Sequence, residues 1–186
     1  TCKTALSETI VINHYDVLIV GGGLVGASLT CALEPLARLQ KLKVAVIEHR
    51  PMNEPRVRPP SFDARSSALS YGTRLAYEQL GLWSELETSA ASIKQVHVSD
   101  RGHCGITRLD HKAENVPALG YVVDNYILGD VLLKRLAHYQ NQGVLTLHDA
   151  CEVIELRPFP GMMAATVRSR DQKHQIITAS LVVLAD

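Results

Sequence analysis

The sequence carries no charge excess of either sign, with 19 lysines and arginines against 19 aspartates and glutamates. Neutralising nucleic-acid phosphates takes a basic surplus, and a charged interaction tail takes a block of like charge. Neither is present, which disfavours a nucleic-acid partner. C-x-x-C pairs are missing too: Cys2, Cys31, Cys104 and Cys151 stand far apart. That spacing argues against a zinc site and a dense disulfide framework, and for reduced thiols in a cytosolic protein. Long apolar runs are absent as well. The uncharged stretch from Val17 to Leu33 falls short of the roughly 20 apolar residues a membrane-crossing helix needs, and Gly21 to Gly23 interrupt it. Val17 to Val20 is also too short for the apolar core of a secretory signal, with Lys3 the one basic residue before it. Peripheral membrane association stays open. Internal repeats and low-complexity tracts are absent.

What is there suits a globular protein. The 186 residues are 46% apolar and 20% charged, enough for one sizeable core or one domain plus part of another. Residues 1–14 show no clear period and read as a lead-in. Tyr15 to Val20 reads as a strand buried on both faces, and Leu24 to Leu33 as a helix that Pro35 should break or kink. Lys43 to Glu48 is a second buried strand. Arg50 to Pro60 reads as an exposed loop, and Ser61 to Ser70 as a polar lead-in to a helix from Thr73 to Leu80 that Gly81 ends. Strands are expected at Ile93–Ser99, Ile106–Leu109 and Gly120–Val123. Asn125 then caps a helix whose apolar residues Leu128, Val131, Leu132, Leu136 and Tyr139 recur at helical spacing, with Gly143 at its end. Strands follow at Val144–His148, Glu152–Arg157, Met163–Arg170 and Gln175–Thr178, with Leu181 to Ala185 as a last apolar strand. A buried strand is a poor place for a chain to stop, so a fragment of a longer protein is expected.

Gly21, Gly23 and Gly26 satisfy G-x-G-x-x-G. The first permits a tight turn, the second lets backbone approach a pyrophosphate, and the third lets helix pack on strand. Behind them Leu24 and Val25 open the helix, whose free amides and positive dipole end suit phosphates. The motif alone is weak. Here it follows a strand, opens a helix, and precedes a second strand ending in Glu48, 22 positions after Gly26. That context predicts a dinucleotide site with Glu48 accepting hydrogen bonds from ribose hydroxyls. An acid there also favours a ribose without a 2′-phosphate. A simple NAD domain would continue by alternating strands and helices. Three strands in succession after Val144–His148 instead favour the glutathione-reductase-like FAD-binding domain: α/β, Rossmann-type, with a three-stranded β-meander.

Four stretches carry a resemblance: VLIVGGGLVGASL (17–29), FDARSSALSYGT (62–73), VHVSDRGHCG (96–105) and ALGYVVDNYILGDVL (118–132). With these the sequence resembles the single-component flavoprotein aromatic hydroxylases, in their ubiquinone-biosynthesis branch. The resemblance implies a discontinuous FAD-binding domain over 15–92 and 120–186, with 93–119 belonging to a mixed-sheet substrate domain. It implies that Arg65 and Asn125 contact the cofactor beside Gly21, Gly23, Leu24, Val25, Gly26 and Glu48. LVVLAD starts the family's second fingerprint, with Asp186 as its acid. Relatives often have Glu where Asp124 stands, so no role carries over to Asp124. The resemblance further implies NAD(P)H as reductant, O₂ and a polyprenyl phenol as substrates, a ubiquinone-biosynthesis complex, and peripheral contact with the inner membrane.

Other conspicuous residues have structural explanations. His97 and His103 flank the turn Asp100-Arg101-Gly102 without a third ligand at metal spacing, so no metal is expected. Ser66 and Ser67 have no activating base nearby. Two further readings remain beside the monooxygenase: an FAD-linked oxidase or dehydrogenase, and a non-catalytic dinucleotide-binding module. These 186 residues alone are expected not to hydroxylate.

Overall fold

The computed structural model describes residues 13–52, 65–99 and 106–185. Cys2, Asp63, His103, Cys104 and Asp186, nearly all of the lead-in and most of the loop at 50–60 lie outside the described residues. In chain order the elements are β1 (Asn13–Val20), α1 (Leu24–Gln40), β2 (Val44–Ile47), β3 (Ser66–Ser70), α2 (Tyr71–Gln79) and α3 (Trp83–Leu86). Next come β4 (Ala91–Ile93), β5 (Gln95–Ser99), β6 (Ile106–Asp110), β7 (Gly120–Asp124) and α4 (Asn125–Asn141). The last four are β8 (Leu145–His148), β9 (Cys151–Phe159), β10 (Met162–Ser169) and β11 (His174–Leu184). The chain divides into two compact units, Thr1–Pro59 with Leu136–Asp186, and Pro60–Arg135.

The first unit is built on a six-stranded mixed sheet of order β8-β2-β1-β11-β10-β9. The four strands β8, β2, β1 and β11 run parallel, and β10 and β9 extend the sheet antiparallel. Successive side chains on a strand point to opposite faces. On one face Leu18 and Val20 of β1 stand beside Ala45 and Ile47 of β2, packed with Cys151, Ala165, Val167 and Ile177 of the meander. Ile19 faces α1, its Cγ2 lying 3.3 Å from where a Cβ on Gly26 would stand. Covered on both faces, the Val17–Val20 half of β1 and all of β2 are apolar. This is the α/β Rossmann-type architecture, with its antiparallel meander, that the sequence predicts.

Two local expectations are corrected. The strands expected at Gln175–Thr178 and Leu181–Ala185 are one 11-residue strand, β11. Its first half pairs antiparallel with β10 and its second half parallel with β1, so one continuous strand joins the meander to the parallel sheet. Nor does Pro35 end α1, which runs 17 residues to Gln40. Pro35 is exposed, while Thr30 and Cys31 before it and Ala37 after it are buried. Glu34 and Arg38 pair across it. Tertiary burial here overrides the local penalty of proline.

In the second unit β3, β7 and β4 form an antiparallel sheet. The expected polar lead-in therefore contains a strand, whose exposed serines gave no apolar alternation to read. Gly120 sits where a Cβ would lie 2.5 Å from the Leu69 carbonyl oxygen, so β7 approaches β3 as only glycine allows. Ser70 caps α2, accepting a hydrogen bond from the Thr73 amide at 3.1 Å, and Gly81 leaves the helix at φ +68°. Trp83 is buried and meets Tyr121 edge-on, with ring centroids 4.9 Å apart. The ribbon β5–β6 is antiparallel, pairing His97 with Arg108. No helix among the described residues is long and apolar enough to cross a membrane.

Candidate dinucleotide site

β1 ends in Gly21, which turns at φ +103° and donates its amide to the Ile47 carbonyl at 2.9 Å. That bond holds the loop against the end of β2. Gly23 is the N-cap of α1, and its carbonyl accepts the Ala27 amide at 2.9 Å. No side chain caps this helix, and its first turn carries no acid. The amides of Leu24, Val25 and Gly26 thus open a helix end suited to an anion. Gly26 is obligatory for packing: a Cβ there would lie 1.9 Å from the Gly21 carbonyl oxygen.

Glu48 is only 4% exposed. Its Oε2 accepts the Gly22 amide at 2.8 Å, and its Oε1 accepts the Arg50 amide at 2.9 Å. His49 Nδ1 lies 3.2 Å from the same Oε1. The backbone on either side is also held, by Glu48 N–H to the His148 carbonyl at 3.1 Å and by Cys151 N–H to the Glu48 carbonyl at 2.9 Å. Each carboxylate oxygen accepts more than one hydrogen bond. Glu48 can therefore brace the loop and retain acceptor capacity on Oε2. Beside it opens a crevice of about 300 Å³ lined by Gly21, Ile47, His49, Cys151 and Val153 among others. Burial, and then the charges of Asp149 and Asp171, push the Cys151 thiol up. Cys151 thus stays a protonated thiol and not a nucleophile. Burial also pulls the His148 imidazole down, where Tyr15 Oη meets its Nε2 at 3.1 Å.

The other sequence-predicted contacts lie in the second unit. Arg65 and Asn125 are brought together, the Asn125 amide donating to the Arg65 carbonyl at 2.9 Å. Asn125 opens α4 and is buried. Its Oδ1 accepts from the Ser67 hydroxyl at 2.5 Å, and Asp124 Oδ1 accepts from Ser66 at 2.7 Å. Asp186 lies outside the described residues. Sequence reasoning assigned nothing to Gly22 or Ser67. Gly22 acts through its backbone amide, which no residue type announces. Ser67 becomes visible only once β3 is paired with β7.

No family model matches the chain. It is 31% identical to the ubiquinone hydroxylase UbiL of Rhodospirillum rubrum over 171 residues, covering 92% of this chain and 37% of that protein. It is 28% identical to the mitochondrial ubiquinone biosynthesis monooxygenase COQ6 of Dictyostelium discoideum over 157 residues, covering 75% of this chain and 30% of that one. The chain thus spans about a third of the length of these relatives. Among solved structures, the OxyS anhydrotetracycline hydroxylase of Streptomyces rimosus superposes with a TM-score of 0.70 at 18% identity, covering 93% of this chain and 32% of that one. The flavin-dependent monooxygenase PieE, solved with FAD and substrate, superposes at 0.67 and 15% identity, covering 91% and 29%. The structures establish the fold. Together with the curated relatives, the chain belongs to the FAD-dependent aromatic-hydroxylase superfamily and is related to the ubiquinone-biosynthesis monooxygenases.

Proposed function

We propose that this chain is the FAD-binding part of a monooxygenase that hydroxylates a polyprenyl phenol ring in ubiquinone biosynthesis, with NAD(P)H and O₂ as co-substrates. Among relatives of that pathway, 2-polyprenyl-6-methoxyphenol hydroxylase is the activity we assign. The observation that carries the cofactor reading is the uncapped α1 N-terminus after Gly23, reached through a glycine loop whose Gly22 amide is held by the buried acid Glu48. These residues fit the ADP half of FAD. Leu24, Val25 and Gly26 offer amides to the pyrophosphate, and Glu48 offers acceptor oxygens to the ribose. Arg65, Asn125 and Asp186 are assigned to the same cofactor.

When bound, FAD supplies the redox and oxygen chemistry, and the protein supplies binding, orientation and exclusion of water. Residues 93–119, with the ribbon β5–β6, are assigned to the substrate-binding part. The polyprenyl chain would bring the enzyme to the inner-membrane surface and to partner enzymes of the same pathway.

The test is an assay of the full-length protein with a methoxyphenol carrying a short prenyl chain. A monooxygenase consumes NAD(P)H and O₂ and yields hydroxylated ring. Release of hydrogen peroxide without hydroxylated product would instead make it an oxidase.

A further inference from the structure

We infer that Ser67 is a positioning residue that locks the side-chain amide of Asn125 with its nitrogen outward, as a hydrogen-bond donor to an acceptor oxygen or nitrogen of the bound flavin cofactor. The inference rests on Asn125 being a cofactor residue, as proposed above. It adds which end of the amide meets the ligand and what holds it there.

The separation of Ser67 Oγ from Asn125 Oδ1 is 2.5 Å. The Ser67 hydroxyl donates and the amide oxygen of Asn125 accepts. β3 supplies the rigidity: Ser67 pairs in register with Val123, two residues before Asn125, and the Asn125 main-chain amide is fixed on the Arg65 carbonyl. With its oxygen engaged, Asn125 has only the two hydrogens of Nδ2 left to use.

Asn125 is 94% buried by its 6% residual exposure, and among the described residues Nδ2 meets no acceptor. Its two hydrogens are thus left for an acceptor from outside the described residues. Among these residues only Arg74 Nε and Trp83 Nε1 are sealed polar side-chain atoms without a partner. The Asn125 nitrogen is consequently reachable from solvent. A donor held in that place selects an acceptor on the ligand, as a phosphate, a ribityl hydroxyl or the flavin pyrimidine ring presents.

The experiment measures FAD affinity of the intact polypeptide by flavin fluorescence, with far-UV circular dichroism as the check on folding. Asn125→Asp, which puts a carboxylate oxygen where the donor stood, should weaken FAD by about tenfold or more, and Ser67→Ala by a factor of about three to ten. Ser67→Thr, which keeps the hydroxyl, should stay within about twofold of the parent. In ¹⁵N-labelled protein the Asn125 side-chain amide pair, identified by its disappearance in Asn125→Asp, should move downfield on addition of FAD. Parent-like affinity in Asn125→Asp, or an amide pair unmoved by FAD, overturns the donor role. Parent-like affinity in Ser67→Ala overturns the lock. An unmutated protein that takes up no FAD removes the cofactor reading itself, and this inference with it.

Discussion

The carboxylate of Glu48 accepts the main-chain amide of Gly22 at 2.8 Å, tying the acid that ends β2 to the loop that ends β1. The residue expected to read the ribose is thus also a brace for the phosphate loop. Under that assignment, ligand recognition and loop geometry would be coupled through one side chain.

Replacing Glu48 should therefore have two measurable effects. Glu48→Ala leaves the Gly22 and Arg50 amides without their acceptor, at a cost of about 1–3 kcal/mol in urea unfolding. Its affinity for ADP, by calorimetry, should fall by about tenfold or more. Glu48→Gln keeps one acceptor oxygen and should fall between. An alanine variant with unchanged ADP affinity would remove the ribose assignment.

Gly26→Ala should be among the most damaging small substitutions in the chain. Its Cβ would need to occupy space 1.9 Å from the Gly21 oxygen, so loop and helix must separate. A loss of about 1–3 kcal/mol is expected, together with loss of ADP binding. A variant that melts and binds like the parent would show that the loop moves freely.

Pro35→Ala should stabilise the protein. The proline is exposed inside a continuous helix, where it forgoes a backbone donor that alanine restores. The gain should be about 1–3 kcal/mol, seen as a raised thermal midpoint. An unchanged or lowered midpoint would mean that the surrounding fold has adapted to the proline ring.

His148 should make stability pH-dependent. Burial lowers its pKa from the ordinary 6.5, so the unfolded chain binds a proton more readily than the folded one. Its contribution is complete above pH 6.5 and is lost as pH falls through the folded value. Urea midpoints measured from pH 7.5 down to about 5 should decline, and His148→Gln should flatten that decline. Equal slopes in parent and variant would assign the acid sensitivity elsewhere.

The lone tryptophan supplies a probe for the second unit. Trp83 is 3% exposed and packs on Tyr121, with the Arg74 guanidinium 5.6 Å from its ring centroid. Its emission should shift to the red as this unit unfolds. Trp83→Ala should cost about 3–5 kcal/mol, read in circular dichroism melts.

From the sequence alone came the unit β1, glycine loop, α1 and β2, because its signals are local. An apolar run, three glycines at set offsets and an acid at strand length are all read within 34 residues, from Tyr15 to Glu48. The meander was legible for the same reason, as apolar strands separated by turn residues. Arg65 and Asn125 were reached through family resemblance, and the fold then made them neighbours. Tertiary structure alone decided that Pro35 stays helical, that β11 serves two partners, that Glu48 holds Gly22, and that Ser67 holds Asn125. These depend on contacts between residues 26 and 58 positions apart, or on burial supplied by distant strands. No local pattern encodes such pairings, because they exist only once the sheets have brought the partners into register.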